Sequence, residues 1–471
     1  MNTIAPARLN RHKVPSTNYP VKVLQFGEGN FLRAFADWMI DILNEATPFR
    51  GMVQIVQPLP KGMGEVINEQ EGLYHVVLHG IEDGNLVRNT RLITSVKGVI
   101  NPYDDFTQFL RLGQNPELKF IISNTTEAGI TFSDEDKDPN QISKTYPGKL
   151  TSLLYHRFKA FGGTNTSGLI FLPCELIDRN GDKLREAILA YASLWQLPAQ
   201  FTDWINEQNV FCNTLVDRIV PGFPADIIND ICQETGYDDK VVVKAEPFHL
   251  WVIEGPAFIK DHFPADAAGL QVKFVGNLQP YRTRKVRILN GAHTAMVPVA
   301  YLRGLRTVQE TVEDPEMGRF VNDIVFNEII PTLDLPEEEL KSFAASVLER
   351  FKNPYIRHEL SSIALNSISK FKVRVLPSLL EYQKRRESIP PLLALSLAAL
   401  IRFYKGEYRG TSLPVNDSAD ILEFFRKVWA NPSTDVVVEQ VLSNESLWEV
   451  NLLSVPGLRD AVAKELASLD K

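Results

Sequence analysis

The stretch that decides the fold is VKVLQFGEGNFLRAF, residues 21–35. Val21–Phe26 is a short apolar run and predicts a buried strand. Gly27-Glu28-Gly29 follows at once, and apolar residues then recur at helical spacing between Asn30 and Leu43. A strand, a glycine turn and a helix in this order direct free backbone N–H groups toward the phosphates of a bound dinucleotide.

The glycine turn matches only part of the usual dinucleotide fingerprint. Leu32 stands where the third glycine of G-x-G-x-x-G would be, so a purely structural turn is the competing interpretation. Arg33 falls in the first helical turn, where we expect it to add a charged contact to phosphate. The cofactor contacts expected from this segment lie on the turn or beside it: Phe26, Gly27, Gly29, Asn30, Phe31 and Arg33.

Further apolar runs end in small polar residues, as strands of a parallel sheet do at the edge where ligands bind. Lys119–Ser123 runs into Asn124 and Thr125, and Leu169–Pro173 runs into Cys174-Glu175-Leu176. We therefore expect Asn124 and Thr125 to reach the nicotinamide ribose, although each could instead cap a loop.

The end of the second predicted strand, Met52–Gln57, bears on the choice of dinucleotide. An acidic residue there would bind the adenosine ribose hydroxyls of NAD. Instead Pro58-Leu59-Pro60 follows, and the next carboxylate is Glu65. No arginine stands there for the 2′-phosphate of NADP, although Lys61 is near, so these residues leave the choice open.

The second informative stretch is KVRILNGAH, residues 285–293. At about 100° per residue, Lys285, Asn290 and His293 fall on roughly one side of a helix. These groups suit proton movement at a carbon that gains or loses hydride, with lysine as the base and asparagine holding the oxygen. Gly291, with Ala292, would leave room for a flat ligand. The competing interpretation is a solvated helix that carries these residues by chance.

Strand patterns alternate with helical ones up to about residue 275, and helical patterns dominate after it. This order predicts an α/β, Rossmann-like doubly wound domain over residues 1–275 and a mainly α-helical substrate and catalytic domain over 276–471. We expect Lys285 to open the first helix of the second domain.

Bulk properties narrow the class of protein. The net charge is −8, which gives no indication of a nucleic-acid partner, and we expect no obligate protein partner. The N-terminus has no apolar signal core, and the longest apolar run, Leu392–Ile401, is too short to span a bilayer. Three cysteines without C-x-x-C spacing fit a reduced cytoplasmic setting, and no zinc-ligand spacing is visible. Both expected ligands are anions, for which four nearby cations offer positive charge: Arg282, Arg284, Lys285 and Arg287.

With these motifs in place, the chain resembles the long-chain polyol dehydrogenases of the mannitol dehydrogenase family over nearly its whole length. K-x-x-x-x-N-x-x-H is the catalytic signature of that family, and it stands here as Lys285, Asn290 and His293. The family's glycine turn also lacks the third glycine and carries an arginine at the position of Arg33. Four strings resemble a branch of the family that acts on keto-uronates: residues 25–35, 123–130, 174–178 and 289–294.

The resemblance implies a metal-independent, NAD-dependent and reversible reduction of D-tagaturonate to D-altronate, a step in galacturonate breakdown. It implies that Lys285 is the general acid/base, that Asn290 holds the substrate oxygen and that His293 orients the substrate. By the same resemblance, Asp217 matches a substrate-contacting aspartate, for which the competing interpretation is an ion pair with Arg218.

Two departures from the polyol members bear on the substrate. Leu176 stands where those members have a second oxygen-holding asparagine, and Ser362 stands where they have an arginine eight residues before Lys370. A changed tail site fits a substrate that ends in a carboxylate. The cations that could bind that carboxylate are Lys370, His358, Lys372 and Arg374.

Other readings remain open at this point. A fructuronate reductase or a related polyol dehydrogenase would keep the fold and the chemistry and change only the substrate. A non-catalytic NAD(H)-binding sensor would keep the fold alone.

Overall fold

The computed structural model describes residues 6–126 and 129–469. The chain divides into two compact units. The first consists of Met1–His79 and Leu86–Leu278, and the second of Gly80–Asn85 and Gln279–Lys471.

The strands of the first unit are β1 Ala7–Arg8, β2 Val21–Phe26, β3 Met52–Val56, β4 Tyr74–Glu82, β5 Asn85–Ile93, β6 Val96–Ile100, β7 Phe120–Ser123, β8 Ile170–Pro173, β9 Val210–Phe211, β10 Asn213–Asp217, β11 Tyr237–Asp238, β12 Val243–Ala245, β13 Leu250–Glu254 and β14 Val272–Val275; the tip of the β4–β5 hairpin belongs to the second unit. Within the described residues, the main sheet has the order β6-β3-β2-β7-β8-β9, with every pair parallel. This is the 3-2-1-4-5-6 order of a doubly wound dinucleotide-binding fold, which confirms the predicted fold class.

The helices of the first unit are α1 Asn30–Arg33, α2 Ala36–Ala46, α3 Gly64–Glu69, α4 Phe106–Arg111, α5 Tyr146–Phe161, α6 Asn180–Leu194, α7 Ala199–Gln208, α8 Ile228–Thr235 and α9 Ile259–His262. Side chains of β2 alternate between two apolar clusters, with Val23 in one and Leu24 and Phe26 in the other. Burial on both faces explains why these strands are apolar along their whole length.

The register aligns the carboxyl ends of the central strands. Phe26 pairs with Val56 on one side and with Ser123 on the other, and Ser123 pairs with Pro173. The turn after Phe26 and the loops after Ser123 and Pro173 therefore start from one edge of the sheet.

The single helix predicted from Asn30 to Leu43 is wrong in one respect, because α1 and α2 are separate. Phe35 lies between them with φ −126° and ψ −78°, outside the helical region. The carbonyl of Ala34 accepts a hydrogen bond from Arg218 Nη1 at 2.7 Å instead of continuing the helical ladder. That tertiary contact interrupts a helix whose periodicity is continuous in the sequence.

The second unit is mainly helical, as predicted. Its helices are α10 Gln279–Lys285, α11 Gly291–Leu302, α12 Val308–Glu313, α13 Pro315–Asp323, α14 Glu337–Phe351, α15 Leu360–Ile363, α16 Ser367–Arg374, α17 Leu376–Arg386, α18 Pro391–Phe403, α19 Ala419–Val428, α20 Thr434–Leu442, α21 Glu445–Trp448 and α22 Leu458–Leu469, with a short hairpin of β15 Glu407–Tyr408 and β16 Thr411–Ser412. The apolar helix α18 lies in the core, against α11 and α22. Among the described residues, no helix combines the length and the apolar character that a membrane span requires.

Lys285 does not open the first helix of this unit, contrary to the prediction. Helix α10 begins at Gln279 and ends at Lys285, and Val286–Asn290 forms one turn of π-helix before α11 begins. The sequence periodicity gives no sign of this wider turn.

Candidate active site

The π-helical turn changes the geometry of the Lys285 and Asn290 pair. Its backbone hydrogen bonds join residues i and i+5, so a residue five positions on lies about one turn away. Lys285 and Asn290 are five residues apart. The π-helical turn therefore brings their side chains nearer to the same side of the helix than an α-helix, with 100° per residue, would. Both side chains are half-buried. Such single π turns are common at functional sites.

His293 lies one helical turn beyond Asn290 and is 8% exposed. Its ring stacks on Phe351, with centroids 4.1 Å apart and planes 21° apart, and it meets the edge of His358 at 5.1 Å. Burial lowers the pKa of His358, so that ring is neutral at physiological pH. The two aromatic contacts fix the orientation of the His293 imidazole.

Gly291 has a different role from the predicted one. A Cβ at this position would lie 3.1 Å from the carbonyl oxygen of Arg374 and 3.7 Å from Ile329. The space beside Gly291 is therefore filled by protein backbone, and the expectation that it leaves room for a ligand is wrong. The glycine instead permits close approach between α11 and the end of α16.

The predicted cluster of four cations is only partly available for anions. Arg284 is buried, its Nη1 pairs with Glu339 Oε1 at 2.9 Å, and its guanidinium lies 4.2 Å from the ring centre of Phe343. Arg287 is half-buried and donates through Nη1 to the carbonyl of Val373. Arg284 is thus paired with a carboxylate, whereas Arg287, on the π-helical turn, donates to a backbone carbonyl.

The four cations predicted for the carboxylate differ in their partners. Lys372 Nζ pairs with Glu449 Oε1 at 2.7 Å, and Lys370 Nζ donates to the carbonyl of Ile363 at 2.9 Å. Arg374 Nη1 donates to Thr294 Oγ1 at 3.5 Å, which brings its guanidinium against α11. His358 contacts His293 as described.

In the first unit, the glycine turn has the backbone geometry expected of it. Gly27 has φ +120°, and a Cβ there would lie 2.9 Å from the carbonyl oxygen of Asn124. A Cβ on Gly29 would have no heavy atom of the described residues within 4 Å. The backbone in front of Gly29 is therefore open to a phosphate, as a dinucleotide site requires.

Arg33 does not support its predicted phosphate contact. Its side chain is fully buried, with Nε donating to the Glu28 carbonyl at 3.0 Å, Nη2 to Asn30 Oδ1 at 2.8 Å and Nη1 to the Val241 carbonyl. All three acceptors belong to the protein, and Arg33 thereby links Glu28 of the glycine turn to the buried residue Val241. Asn30 supports the same network, and Phe31 stacks on Phe35 at 4.9 Å.

Asn124 and Thr125 lie at the carboxyl end of β7, beside the glycine turn. Thr125 donates to Glu175 Oε1 through both its backbone N–H and its hydroxyl, each at 3.0 Å, and Ser123 donates to Glu175 Oε2 at 3.0 Å. Burial raises the pKa of Glu175. Sequence reasoning missed this carboxylate as an organiser of the loop, and its only signal was its place directly after a predicted strand end.

Leu176 is 63% exposed, and Asn180 does not replace the missing asparagine. The Asn180 amide donates to the carbonyls of Pro173 and Glu175 at 2.9 and 3.0 Å, and its oxygen accepts from the backbone N–H of Thr214 at 2.8 Å. Asn180 is therefore a structural link between β8 and β10. Asp217 ends β10, is 6% exposed and pairs in register with Leu250.

A cavity of about 940 Å³ opens at the carboxyl ends of β3 and β6. Its walls include Gln57, Lys61, Gly62, Glu65 and Asn101. It lies at the sheet position where the adenosine half of a dinucleotide binds in this fold, and its size suits such a ligand. The open turn and this cavity together fit a dinucleotide. Across residues 6–126 and 129–469, no group of three or more His, Cys, Asp or Glu side chains forms a metal-ligand cluster.

Two family models match the chain: the mannitol dehydrogenase Rossmann domain over residues 21–266 and the mannitol dehydrogenase C-terminal domain over residues 277–470. An altronate oxidoreductase of Bacillus subtilis is 49% identical over 95% of this chain and 92% of its own. One of Phocaeicola vulgatus is 47% identical over 98% and 97%.

Solved structures share the fold at lower identity. A D-sorbitol dehydrogenase in substrate-free form has a TM-score of 0.82 at 20% identity and covers 98% of both chains. A Pseudomonas fluorescens mannitol 2-dehydrogenase, in ternary complex with NAD and D-mannitol, has a TM-score of 0.68 at 23% identity over 98% of this chain and 96% of its own. By its family models and its relatives, this chain belongs to the mannitol dehydrogenase family.

Proposed function

We propose that this protein is an NAD-dependent oxidoreductase that reversibly reduces D-tagaturonate to D-altronate. The observation that carries the proposal is the Lys285, Asn290 and His293 set on and beside the π-helical turn, in a chain 49% identical to an altronate oxidoreductase. Leu176 and Ser362 distinguish the site from that of the polyol members, which supports a sugar acid over a neutral polyol.

The first unit supports binding of the cofactor. The N–H groups of the turn at Gly27 and Gly29 would hold the pyrophosphate, and Asn124 and Thr125, at the end of β7, are the proposed contacts to the nicotinamide ribose. When bound, the nicotinamide supplies or accepts the hydride of the reaction.

The lining of the cavity at the end of β3 favours NAD over NADP. Glu65, Glu69 and Asp104 contribute three carboxylates to it, and Lys61 contributes one cation. A 2′-phosphate on the adenosine ribose would carry negative charge into this acidic surrounding and be repelled. A ribose diol would instead find hydrogen-bond acceptors.

The residues of the second unit divide the proton chemistry of the reduction. Lys285, as the ammonium, donates its proton to the ketone oxygen while the carbonyl carbon becomes the new CH–OH carbon. The Asn290 amide donates a hydrogen bond to the same oxygen, where negative charge builds up in the transition state. His293, held by Phe351 and His358, would orient a neighbouring substrate hydroxyl. Asp217 is a further proposed substrate contact.

The proposed setting is the cytoplasm, with the sugar acid and NAD(H) as the small molecules that the reaction needs. The three cysteines are free and buried thiols, which fits a reducing compartment. The net charge of −8 fits the absence of a nucleic-acid partner.

A rate assay of the purified protein tests the proposal. NADH consumption would be followed with D-tagaturonate, D-fructuronate and D-tagatose, and the set would be repeated with NADPH. The proposal expects the highest kcat/KM with D-tagaturonate and NADH. Preference for D-fructuronate or for the neutral ketose would overturn the substrate, and no turnover with any of them would favour a non-catalytic sensor.

A further inference from the structure

Two arginines of the second unit lie beside the catalytic turn without an acidic partner. Arg287 belongs to the π-helical turn, and Arg374 is the last residue of α16. Both are half-buried, and burial lowers the pKa of each guanidinium. Within the described part of the chain, neither forms an ion pair with a carboxylate within 4.0 Å.

Other arginines of the unit do have such partners. Arg284 pairs with Glu339, Arg303 with Glu316, Arg357 with Glu359, Arg385 with Asp334 and Arg426 with Glu423. Arg287 and Arg374 have no such partner among the described residues, although the chain carries an excess of acidic residues.

Backbone contacts hold the two arginines in one neighbourhood. Arg287 Nη1 donates to the carbonyl of Val373, which is the residue before Arg374. Lys370 lies one turn before Arg374 on α16, and burial, followed by the charge of Arg374, lowers its pKa. Three cations thus share a region in which the charge of Arg374 disfavours the charged form of Lys370.

This region adjoins the proposed catalytic groups. Arg374 Nη1 contacts Thr294 Oγ1 at 3.5 Å, and Thr294 follows Asn290 by four residues on the same helical face. The Arg374 carbonyl lies against Gly291, the neighbour of Asn290. A substrate whose oxygen is held by Asn290 would therefore have Arg374 one helical turn away.

We propose that Arg374, together with Arg287, binds the terminal carboxylate of the sugar acid and makes the enzyme selective for it over the neutral ketose. A guanidinium presents paired N–H donors that match the two oxygens of a carboxylate. A bound carboxylate would also supply the negative charge that no described carboxylate places beside these two arginines. Lys370 supports the site electrostatically, and Lys372 is excluded by its ion pair with Glu449. This inference rests on the proposed function.

The test compares Arg374→Met and Arg287→Met with wild type, using D-tagaturonate and D-tagatose, which carries CH₂OH in place of the carboxylate. Since hydrogen bonds to charged groups contribute about 1.5–3 kcal/mol, we expect kcat/KM for D-tagaturonate to fall about ten- to a hundredfold, mainly through KM. With D-tagatose, kcat/KM should change less than about threefold. Arg386→Met, on the exposed end of α17, is the matched control and should leave both values unchanged.

Two further readouts keep the outcome clear. Calorimetric binding of D-altronate to the NADH-loaded protein, in which no hydride can be transferred, should weaken in Arg374→Met, and Arg374→Lys, which keeps the charge, should recover part of it. Equal losses with both sugars, or unchanged selectivity, would overturn the inference. A wild-type enzyme that prefers D-tagatose would instead overturn the proposed function itself.

Discussion

Arg33 in the first unit and Arg374 in the second were both predicted to bind anions. In the structure, their side chains differ in burial and in hydrogen-bond partners. Arg33 is fully buried and donates to three protein acceptors, from Glu28, Asn30 and Val241. Arg374 is half-buried, and its one side-chain hydrogen bond among the described residues is a 3.5 Å contact with Thr294. The same residue type therefore links parts of the protein in the first unit, whereas in the second it is the proposed ligand contact.

The difference extends to the surrounding groups. Beside the glycine turn, Glu175 accepts hydrogen bonds from Ser123 and Thr125. Beside the π-helical turn, Arg287 and Arg374 have no carboxylate within 4.0 Å among the described residues. We infer that the hydrogen-bond and ion-pair partners of a polar side chain separate structural groups from candidate ligand-binding groups better than the residue type does.

Replacing the proposed catalytic lysine should have the largest effect on activity. It tests the proposed role of the residues around the π-helical turn. Lys285→Met is expected to lower kcat a hundredfold or more, the usual scale for loss of a general acid. NADH binding, followed by fluorescence titration, should stay within about twofold of wild type. Activity close to wild type in this variant would remove Lys285 from the mechanism.

Arg33→Met would test the structural side of the comparison. Three oxygen acceptors would lose a charged donor whose own side chain is fully buried, so we expect the free energy of unfolding to fall by about 3 kcal/mol. Urea denaturation measures this, with Arg386→Met as the exposed control that should change stability by less than about 0.5 kcal/mol. Selectivity for D-tagaturonate over D-tagatose should survive in the folded Arg33 variant, whereas a selectivity loss like that expected of Arg374→Met would break the distinction.

A buried carboxyl of the second unit predicts a pH effect on stability. Glu328 accepts hydrogen bonds from the backbone N–H groups of Leu392 and Leu393 at 2.8 Å, and burial raises its pKa to about 7. The folded state therefore holds this proton more tightly than the unfolded state, whose pKa is near 4.5. The contribution of Glu328 is complete below about pH 4.5 and is lost as the pH rises through about 7.

Thermal unfolding of wild type and Glu328→Gln between pH 5 and pH 8 measures that contribution. The loss of stability with rising pH should be smaller in Glu328→Gln than in wild type. Asp37 in the first unit, whose pKa burial also raises to about 7, would preserve part of the slope in both proteins. Identical slopes would show that Glu328 does not titrate in this range.

The smallest expected effect concerns Gly291. A methyl group there would meet the Arg374 carbonyl at 3.1 Å, so the end of α16 must shift by a few tenths of an ångström. Gly291→Ala should therefore raise KM for D-tagaturonate about threefold and leave kcat nearly unchanged. Gly276→Ala, which adds a methyl group in open space, is the control and should change neither constant.

The fold class and the family could be predicted from the sequence because they depend on strong local signals. Apolar runs that end in a glycine turn or in small polar residues specify parallel strands, and the family models confirm the predicted membership. The catalytic, substrate-binding and cofactor-binding residues remain predictions.

What the sequence could not provide are the tertiary contacts. The break at Phe35 depends on Arg218, which is far away in the chain, and the burial of Arg33 depends on Val241. The π-helical turn has no mark in the residue pattern. From the sequence, Gly291 was expected to leave free space beside it. Only the fold shows that the Arg374 carbonyl lies against it.

The most direct test of the proposed reaction follows the transferred hydride and the effect of replacing Lys285 in one experiment. Wild type and Lys285→Met would be incubated with D-tagaturonate and NADH deuterated at C4 of the nicotinamide on the transferred face, and the products would be identified by NMR. Wild type should yield D-altronate with one deuterium on the former ketone carbon, and Lys285→Met should yield little product. An epimeric product, unlabelled D-altronate, or equal product from Lys285→Met would contradict the proposed reaction.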